Sequence, residues 1–153
     1  MKHFILTAAA LLSASASLGA TEVLTSPDGR LQLSFDLTND GTPTYKMDYN
    51  NKPVIATSRL GLELKNQKSL LDGFKMERVS RSSFDETWQP VWGEQSSIRN
   101  HYNEMAVCLS QPDDNGHLRE MIVRFRLYDD GVGFRYEWPA QDNFTYFTIK
   151  EER

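Results

Sequence analysis

The chain has 153 residues, about one domain, and its 25% charged and 39% hydrophobic side chains exclude a multi-span membrane protein and a low-complexity disordered chain. Its 17 basic and 21 acidic residues give a formal net charge of −4, and the absence of a basic stripe argues against nucleic acid as a partner. The one cysteine, Cys108, excludes an intramolecular disulfide.

Residues 1–20 have the pattern of a secretory signal peptide. Lys2 is followed by an apolar run over residues 4–12 and then by small residues up to Ala20. The apolar run is too short to span a bilayer, and no cysteine near the cleavage region indicates a lipid anchor. We therefore expect an exported protein whose single domain comprises residues 21–153, with no membrane attachment after cleavage.

The rest of the chain alternates apolar and polar side chains with a period of two. Leu31, Leu33 and Phe35 share one face of such a segment, and the turn sequence of residues 26–29 precedes it. No stretch shows the 3.6-residue period of a helix. We predict eight or nine strands in an antiparallel β-sandwich, an all-β fold. The predicted strands cover residues 30–37, 44–49, 54–55 after an Asn50–Asn51 turn, 60–64, 99–109, 118–128, 132–138 and 145–149.

Residues 80–97 do not alternate well and predict a long excursion from the sheets, of the kind that carries function in sandwich folds. Trp88 and Trp92 in this segment could offer flat faces to sugar rings, while neighbouring polar side chains could bind the hydroxyl groups. Alternatively, the two indoles pack the loop onto the sandwich or onto a neighbouring domain. The candidate residues for carbohydrate binding or for contact with another domain are Trp88, Gln89, Trp92, Glu94, Arg99, Asn100 and His101.

Catalytic and metal-binding groups are not expected within this chain. Glycoside hydrolysis needs two carboxyl groups at a set separation, which sequence spacing cannot show for a loop. We expect the carboxylates of this region to be solvated or paired, for instance with Arg99. His101 has no second histidine or cysteine at ligand spacing, which disfavours a zinc site. The carboxylates concerned are Asp85, Glu86, Glu94 and Glu104.

Five segments together resemble the N-terminal domain of glycoside hydrolase family 97, a family of exported α-glucosidases and α-galactosidases of Gram-negative bacteria. The resemblance spans essentially the whole chain after the signal peptide, and its tryptophan-rich segment is specific. The segments are residues 25–29 (TSPDG), 60–64 (LGLEL), 84–94 (FDETWQPVWGE), 98–104 (IRNHYNE) and 124–136 (RFRLYDDGVGFRY).

The resemblance implies a galactose-mutarotase-like β-super-sandwich that is incomplete at its C-terminus, since the family domain has further strands after Arg153. It implies a periplasmic location and a catalytic (β/α)8 barrel as partner. The catalytic carboxylates would lie in that barrel. A calcium ion near the active site would be bound by glutamates outside this chain, so no cofactor is expected here.

The resemblance thus predicts a non-catalytic domain that binds an α-linked oligosaccharide and supports the active site of the barrel, without activity of its own. Two alternatives remain: a stand-alone carbohydrate-binding protein, and a structural or interaction module without sugar affinity. The choice between α-glucosides and α-galactosides, and between inversion and retention, would depend on barrel residues.

Overall fold

The computed structural model describes residues 21–153, which fold into ten β-strands. The predicted all-β class is confirmed, and no helix occurs in this described part. The signal-peptide prediction falls on residues 1–20, outside the described residues. The strands are β1 (Glu22–Thr25), β2 (Leu31–Leu37), β3 (Pro43–Tyr49), β4 (Lys52–Arg59), β5 (Leu62–Leu64), β6 (Lys75–Trp88), β7 (Ile98–Pro112), β8 (Leu118–Leu127), β9 (Val132–Glu137) and β10 (Ile149–Glu152).

Two four-stranded antiparallel sheets, in the orders β1-β2-β3-β4 and β6-β7-β8-β9, pack face to face. Phe35 of the first sheet and Phe125 of the second meet in the core with their ring centroids 5.9 Å apart. Both are completely buried, because the alternation of each strand directs one row of apolar side chains inwards. The core row of β8 is Met121, Val123, Phe125 and Leu127, as the sequence predicts.

The hairpin between β3 and β4 has the predicted two-residue turn. Asn50 and Asn51 adopt φ angles of 48° and 61°. Consecutive left-handed residues are what a tight hairpin between right-twisted strands requires, and asparagine tolerates this conformation better than most residues.

A third, two-stranded sheet joins β5 to β10 at one side of the sandwich. The sequence prediction placed this last strand at residues 145–149, whereas the strand occupies Ile149–Glu152. Residues before it form an irregular segment in which Phe144 and Phe147 stack with ring centroids 4.6 Å apart. Packing of these rings on the core, rather than strand pairing, therefore explains the apolar residues that suggested a strand there.

The side chain of Arg119 lies on the core side of β8 and is fully buried. Its guanidinium donates two hydrogen bonds to the Oε1 atom of Gln111 and one each to the main-chain oxygens of Lys68 and Ser69. It also lies 5.1 Å from the ring centroid of Phe144. These contacts fix the loop after β5 to the second sheet, and the hydrogen bonds compensate the burial of a cation.

Among residues 21–153, no helix has the length and apolar character of a membrane-crossing segment.

Candidate functional site

Strands β6 and β7 continue together beyond the sheet that contains them. Their pairing is regular from Arg78 opposite Cys108 to Trp88 opposite Ile98, whereas β8 pairs with β7 only as far as Asn103. The sequence prediction of an excursion over residues 80–97 is therefore wrong for its first half. The strand continues because the backbone N–H and C=O groups that face β7 are paired with it, and this pairing does not depend on the polar side chains of β6. We call residues 84–102 the arm.

The two faces of the arm differ in chemistry. Strand alternation and the register place the side chains of paired residues on the same side. The outer face continues the solvent side of the sheet, and the inner face continues the core side. The outer face carries Phe84, Glu86, Trp88, Ile98, Asn100 and Tyr102, and the inner face carries Asp85, Thr87, Arg99 and His101.

The outer face is fixed to the sheet at the base of the arm. The ring of Phe84 stacks on Tyr102 at a centroid distance of 5.3 Å and an interplanar angle of 24°. Tyr102 also contacts Tyr128 at 5.3 Å, and the guanidinium of Arg126 lies 4.5 Å from the Tyr102 ring centroid. Aromatic and cation–π contacts of this kind give the arm a defined direction.

The inner face carries an exposed ion pair. Arg99 donates hydrogen bonds from Nε and Nη2 to the two carboxylate oxygens of Asp85, at 2.8 and 2.7 Å. This bidentate contact lowers the pKa of Asp85 below its ordinary value and raises that of Arg99. The predicted pairing of a carboxylate with Arg99 is confirmed. Because the pair is exposed, it orients the two side chains but contributes little to stability.

The tip of the arm, residues 89–97, projects its apolar side chains into solvent. Val91 is 92% exposed and Trp92 is 89% exposed, and Trp88 at the base of the tip is 48% exposed. The interpretation that both indoles pack onto the sandwich is therefore wrong for Trp92. Contact with a neighbouring domain and contact with a sugar both remain compatible with this exposure.

The seven candidate residues do not converge on one pocket. Trp88 and Asn100 lie on the outer face, and Arg99 and His101 lie on the inner face. The other three candidates, Gln89, Trp92 and Glu94, belong to the tip. A ligand or partner that contacts all seven would have to reach both faces of the arm as well as its tip.

Sequence reasoning missed an ion-pair network on the outer face of the second sheet. Arg124 bridges Glu104 and Glu137, and Arg126 and Arg135 add a second guanidinium to each carboxylate. The alternation of β8 places Arg124 and Arg126 on the face opposite the core, but only the strand register brings the five charged side chains together. Glu104, one of the carboxylates considered for catalysis, is buried in this network rather than presented to a ligand.

The network lowers the pKa of its carboxyl groups. Burial acts to raise the pKa of Glu104, but hydrogen bonds from Arg126 and Arg124 outweigh it and hold this pKa below its ordinary value. The hydrogen bond from Arg124 is the main reason why the pKa of Glu137 falls from 4.5 to about 2. Both groups are therefore ionised at neutral pH and serve as structural anions.

Replacing Glu137 by glutamine should remove an acid-sensitive contribution to stability. A carboxyl group whose pKa is depressed by folding stabilises the fold above its unfolded pKa, and this contribution disappears as the pH falls from about 4.5 towards 2. We expect Glu137→Gln to lower the free energy of unfolding at pH 7 by about 2 kcal/mol, allowing for solvent screening, and to flatten its dependence on pH in that window.

Urea unfolding at a series of pH values measures this effect. The matched control is Glu120→Gln, in the neighbouring strand β8 and on the same outer face of the sheet as Glu137, because Glu120 makes no ion pair within the described chain. Equal pH profiles for the wild type and Glu137→Gln would contradict the assignment.

The residues of the described chain do not fit a metal centre. Within residues 21–153, no group of three or more His, Cys, Asp or Glu side chains is arranged to hold a metal ion. The calcium ion implied by the family resemblance, with its ligands outside this chain, stays a prediction. Cys108 is buried, and burial raises the pKa of its thiol, which makes it unreactive.

The fold and the arm together define an antiparallel β-super-sandwich domain with an exposed, tryptophan-tipped hairpin. The family model described as glycosyl-hydrolase 97 N-terminal matches residues 24–153. The chain therefore belongs to this family, as the N-terminal domain of a family 97 glycoside hydrolase.

Individual relatives agree with this assignment. A retaining alpha-galactosidase of Bacteroides thetaiotaomicron is 28% identical over 125 residues, which are 82% of this chain and 17% of the relative. A family 97 enzyme of Pseudoalteromonas sp. strain K8, solved with panose, superposes with a TM-score of 0.78 and 34% identity over 86% of this chain. A beta-arabinopyranosidase structure gives a TM-score of 0.74 and 29% identity over the same share.

The chain spans only a small part of each relative. It covers 17% of the galactosidase, 19% of the Pseudoalteromonas enzyme and 20% of the arabinopyranosidase. The matched part is the N-terminal sandwich of these proteins. The activities of their remaining four-fifths are therefore attributed to this chain only as a proposal.

Proposed function

We propose that this domain is the non-catalytic N-terminal sandwich of an exported, periplasmic α-glycosidase, and that the tip of its arm helps to bind an α-linked oligosaccharide at the active site of a catalytic (β/α)8 barrel. The family membership of residues 24–153 is the foundation of the proposal. The small share of each relative that the chain covers leaves ample length for a catalytic domain in proteins of this family.

The observation that carries the proposal is the exposure of the arm tip. Trp92 and Val91 contact solvent almost completely, although burial of an indole is among the most favourable contributions available to a domain. An apolar tip on an ordered two-stranded arm is a surface suited to a partner or a ligand rather than to the domain's own core. This supports a role at the junction between the sandwich and a second domain.

The chemistry around the tip suits a carbohydrate. Indole faces pack against the C–H patches of sugar rings, and the Asp85–Arg99 pair on the inner face offers both acceptors and donors to hydroxyl groups. The structures of the Pseudoalteromonas enzyme were determined with panose and with acarbose. We therefore choose panose and acarbose as the first ligands to test, with an α-galactoside beside them because the curated relative is a galactosidase.

A fluorescence titration tests whether the arm binds sugar without the barrel. Trp88 and Trp92 are exposed, whereas Trp138 is half-buried and packs on Phe147 with a centroid distance of 4.9 Å. We expect panose to change the emission of the wild-type chain at about millimolar concentrations, which is the affinity of a small exposed site.

Variants identify the source of that change. Trp92→Ala and Trp88→Ala should abolish it, and Val54→Ala, which removes an apolar side chain of β4 about as exposed as Trp88, should retain it. If none of the three sugars changes the emission of the wild-type chain, binding by the arm alone is excluded and the structural or interaction module is favoured. Binding that survives in both tryptophan variants would place the sugar elsewhere.

A further inference from the structure

The root of the arm, residues 81–83 of β6 and 103–105 of β7, is the place where the arm leaves the sheet. Asn103 is the last residue of β7 that pairs with β8, and its partner there is Leu127. Beyond Asn103 the pair β6–β7 continues without support from β8. A two-stranded ribbon is at best marginally stable by itself, so contacts at the root have a large effect on the direction of the arm.

The side chain of Asn103 joins three strands at the root. Its Nδ2 donates a hydrogen bond of 2.8 Å to the main-chain oxygen of Thr25, at the end of β1. Its Oδ1 accepts a hydrogen bond of 2.7 Å from the hydroxyl of Ser83, the residue opposite it on β6. Because the donor and the acceptor of one amide are both engaged, the side chain has a single orientation that ties β6 and β7 to β1.

Arg81 provides a second tie to β1, two residues before Ser83 on the same face of β6. Its guanidinium donates to the main-chain oxygen of Val23 and forms an ion pair with Glu22. Val23 and Thr25 are alternate residues of β1, so their carbonyl groups point to the same side of that strand. Two successive carbonyl groups on this side of β1 therefore accept hydrogen bonds from the root of the arm.

The two ties differ in strength. The Arg81 side chain is half exposed and its hydrogen bonds to Val23 are long, at 3.3 and 3.4 Å, so solvent screens much of this contact. The Asn103–Thr25 bond is short and partly buried. It restrains the inner face of the arm, opposite the Phe84–Tyr102 stack that restrains the outer face.

We propose that Asn103 is a positioning residue for the tip of the arm: by tying the root to β1, it holds Trp92 in one place relative to the two sheets. That the tip so held meets a sugar rests on the proposed function. The restraint itself is a property of the described chain and can be measured without any ligand.

Double electron–electron resonance between two nitroxide labels measures the direction of the arm. One label is attached to Val91→Cys in the tip and the other to Gln32→Cys, an exposed position of β2. Cys108 is buried and stays unlabelled. We expect Asn103→Ala to broaden the distribution of label distances about twofold, because the arm then pivots at its root.

Further variants separate the tie to β1 from other effects. Asn103→Asp keeps an acceptor for Ser83 but turns a carboxylate oxygen towards the Thr25 carbonyl, so it should broaden the distribution as much as Asn103→Ala. Asn100→Ala is the matched control. It removes the same type of side chain from the outer face of β7, where Asn100 makes no side-chain hydrogen bond within residues 21–153, and it should leave the distribution unchanged. Circular dichroism establishes that each variant is folded.

The panose titration of the same variants tests the link to the sugar. Asn103→Ala should raise the dissociation constant of panose about threefold or more, because the freed arm must be ordered on binding. An unchanged distance distribution in folded Asn103→Ala overturns the proposal, and so does a broadened arm that binds panose with wild-type affinity. A wild-type chain that binds no panose overturns the proposed function of the arm and its role towards sugar, whereas the label distances decide separately whether Asn103 restrains the arm.

Discussion

Gly41→Ala is expected to lower the free energy of unfolding by about 3–5 kcal/mol, a large fraction of the stability of a domain of this size. A methyl group at this position would lie 2.5 Å from the main-chain nitrogen of Phe74 and 2.6 Å from its oxygen. These are rigid backbone atoms, and Phe74 donates a main-chain hydrogen bond to Gly41. The turn before β3 would have to separate from the segment before β6, and the buried ring of Phe74 would lose its packing.

Gly29→Ala is the matched control, because both glycines have a φ angle of +77° and only their surroundings differ. No atom lies within 4 Å of a methyl group at Gly29. This variant therefore reports the cost of a left-handed alanine alone, about 1 kcal/mol. Urea unfolding of both variants gives the difference, which is the steric effect. Equal losses in the two variants would show that the contact at Phe74 does not restrain the turn.

The layered core was predictable from sequence because each core strand repeats an apolar residue at every second position. Phe35 and Phe125 are examples, since each lies in a clean alternation and each is completely buried. Strand β6 could not be predicted in the same way. It is an edge strand whose side chains are mostly exposed, so no apolar period marks it, and the backbone pairing that holds it is independent of side-chain type.

The arrangement of the candidate residues was not predictable from the sequence. The sequence singled out Trp88 and Trp92, and the structure exposes both, Trp88 at the end of β6 and Trp92 in the tip of the arm. The distribution of Arg99 and Asn100 over opposite faces depends on the register between β6 and β7, which local sequence does not specify. The Glu104–Arg124 contact was missed for the same reason, because it joins strands whose alignment emerges only on folding.

Loss of the arm tip should impair catalysis in the enzyme of which this domain is part. If Trp88 and Trp92 contact the substrate or the mouth of the barrel, Trp88→Ala and Trp92→Ala remove apolar contacts that position the sugar. We expect each to lower kcat/KM about tenfold or more, with little change in thermal stability, because both side chains are exposed on the sandwich itself.

The most direct test is to sequence the gene beyond the codon for Arg153, express the longest product that contains this domain, and measure kcat/KM for panose and for an α-galactoside. Val54→Ala, in the exposed strand β4, provides the control. The predicted result is hydrolysis of one of the two substrates that falls about tenfold in each tryptophan variant and stays unchanged in the control. A product without a barrel, or full activity in both folded tryptophan variants, would contradict a role for this sandwich at a glycosidase active site.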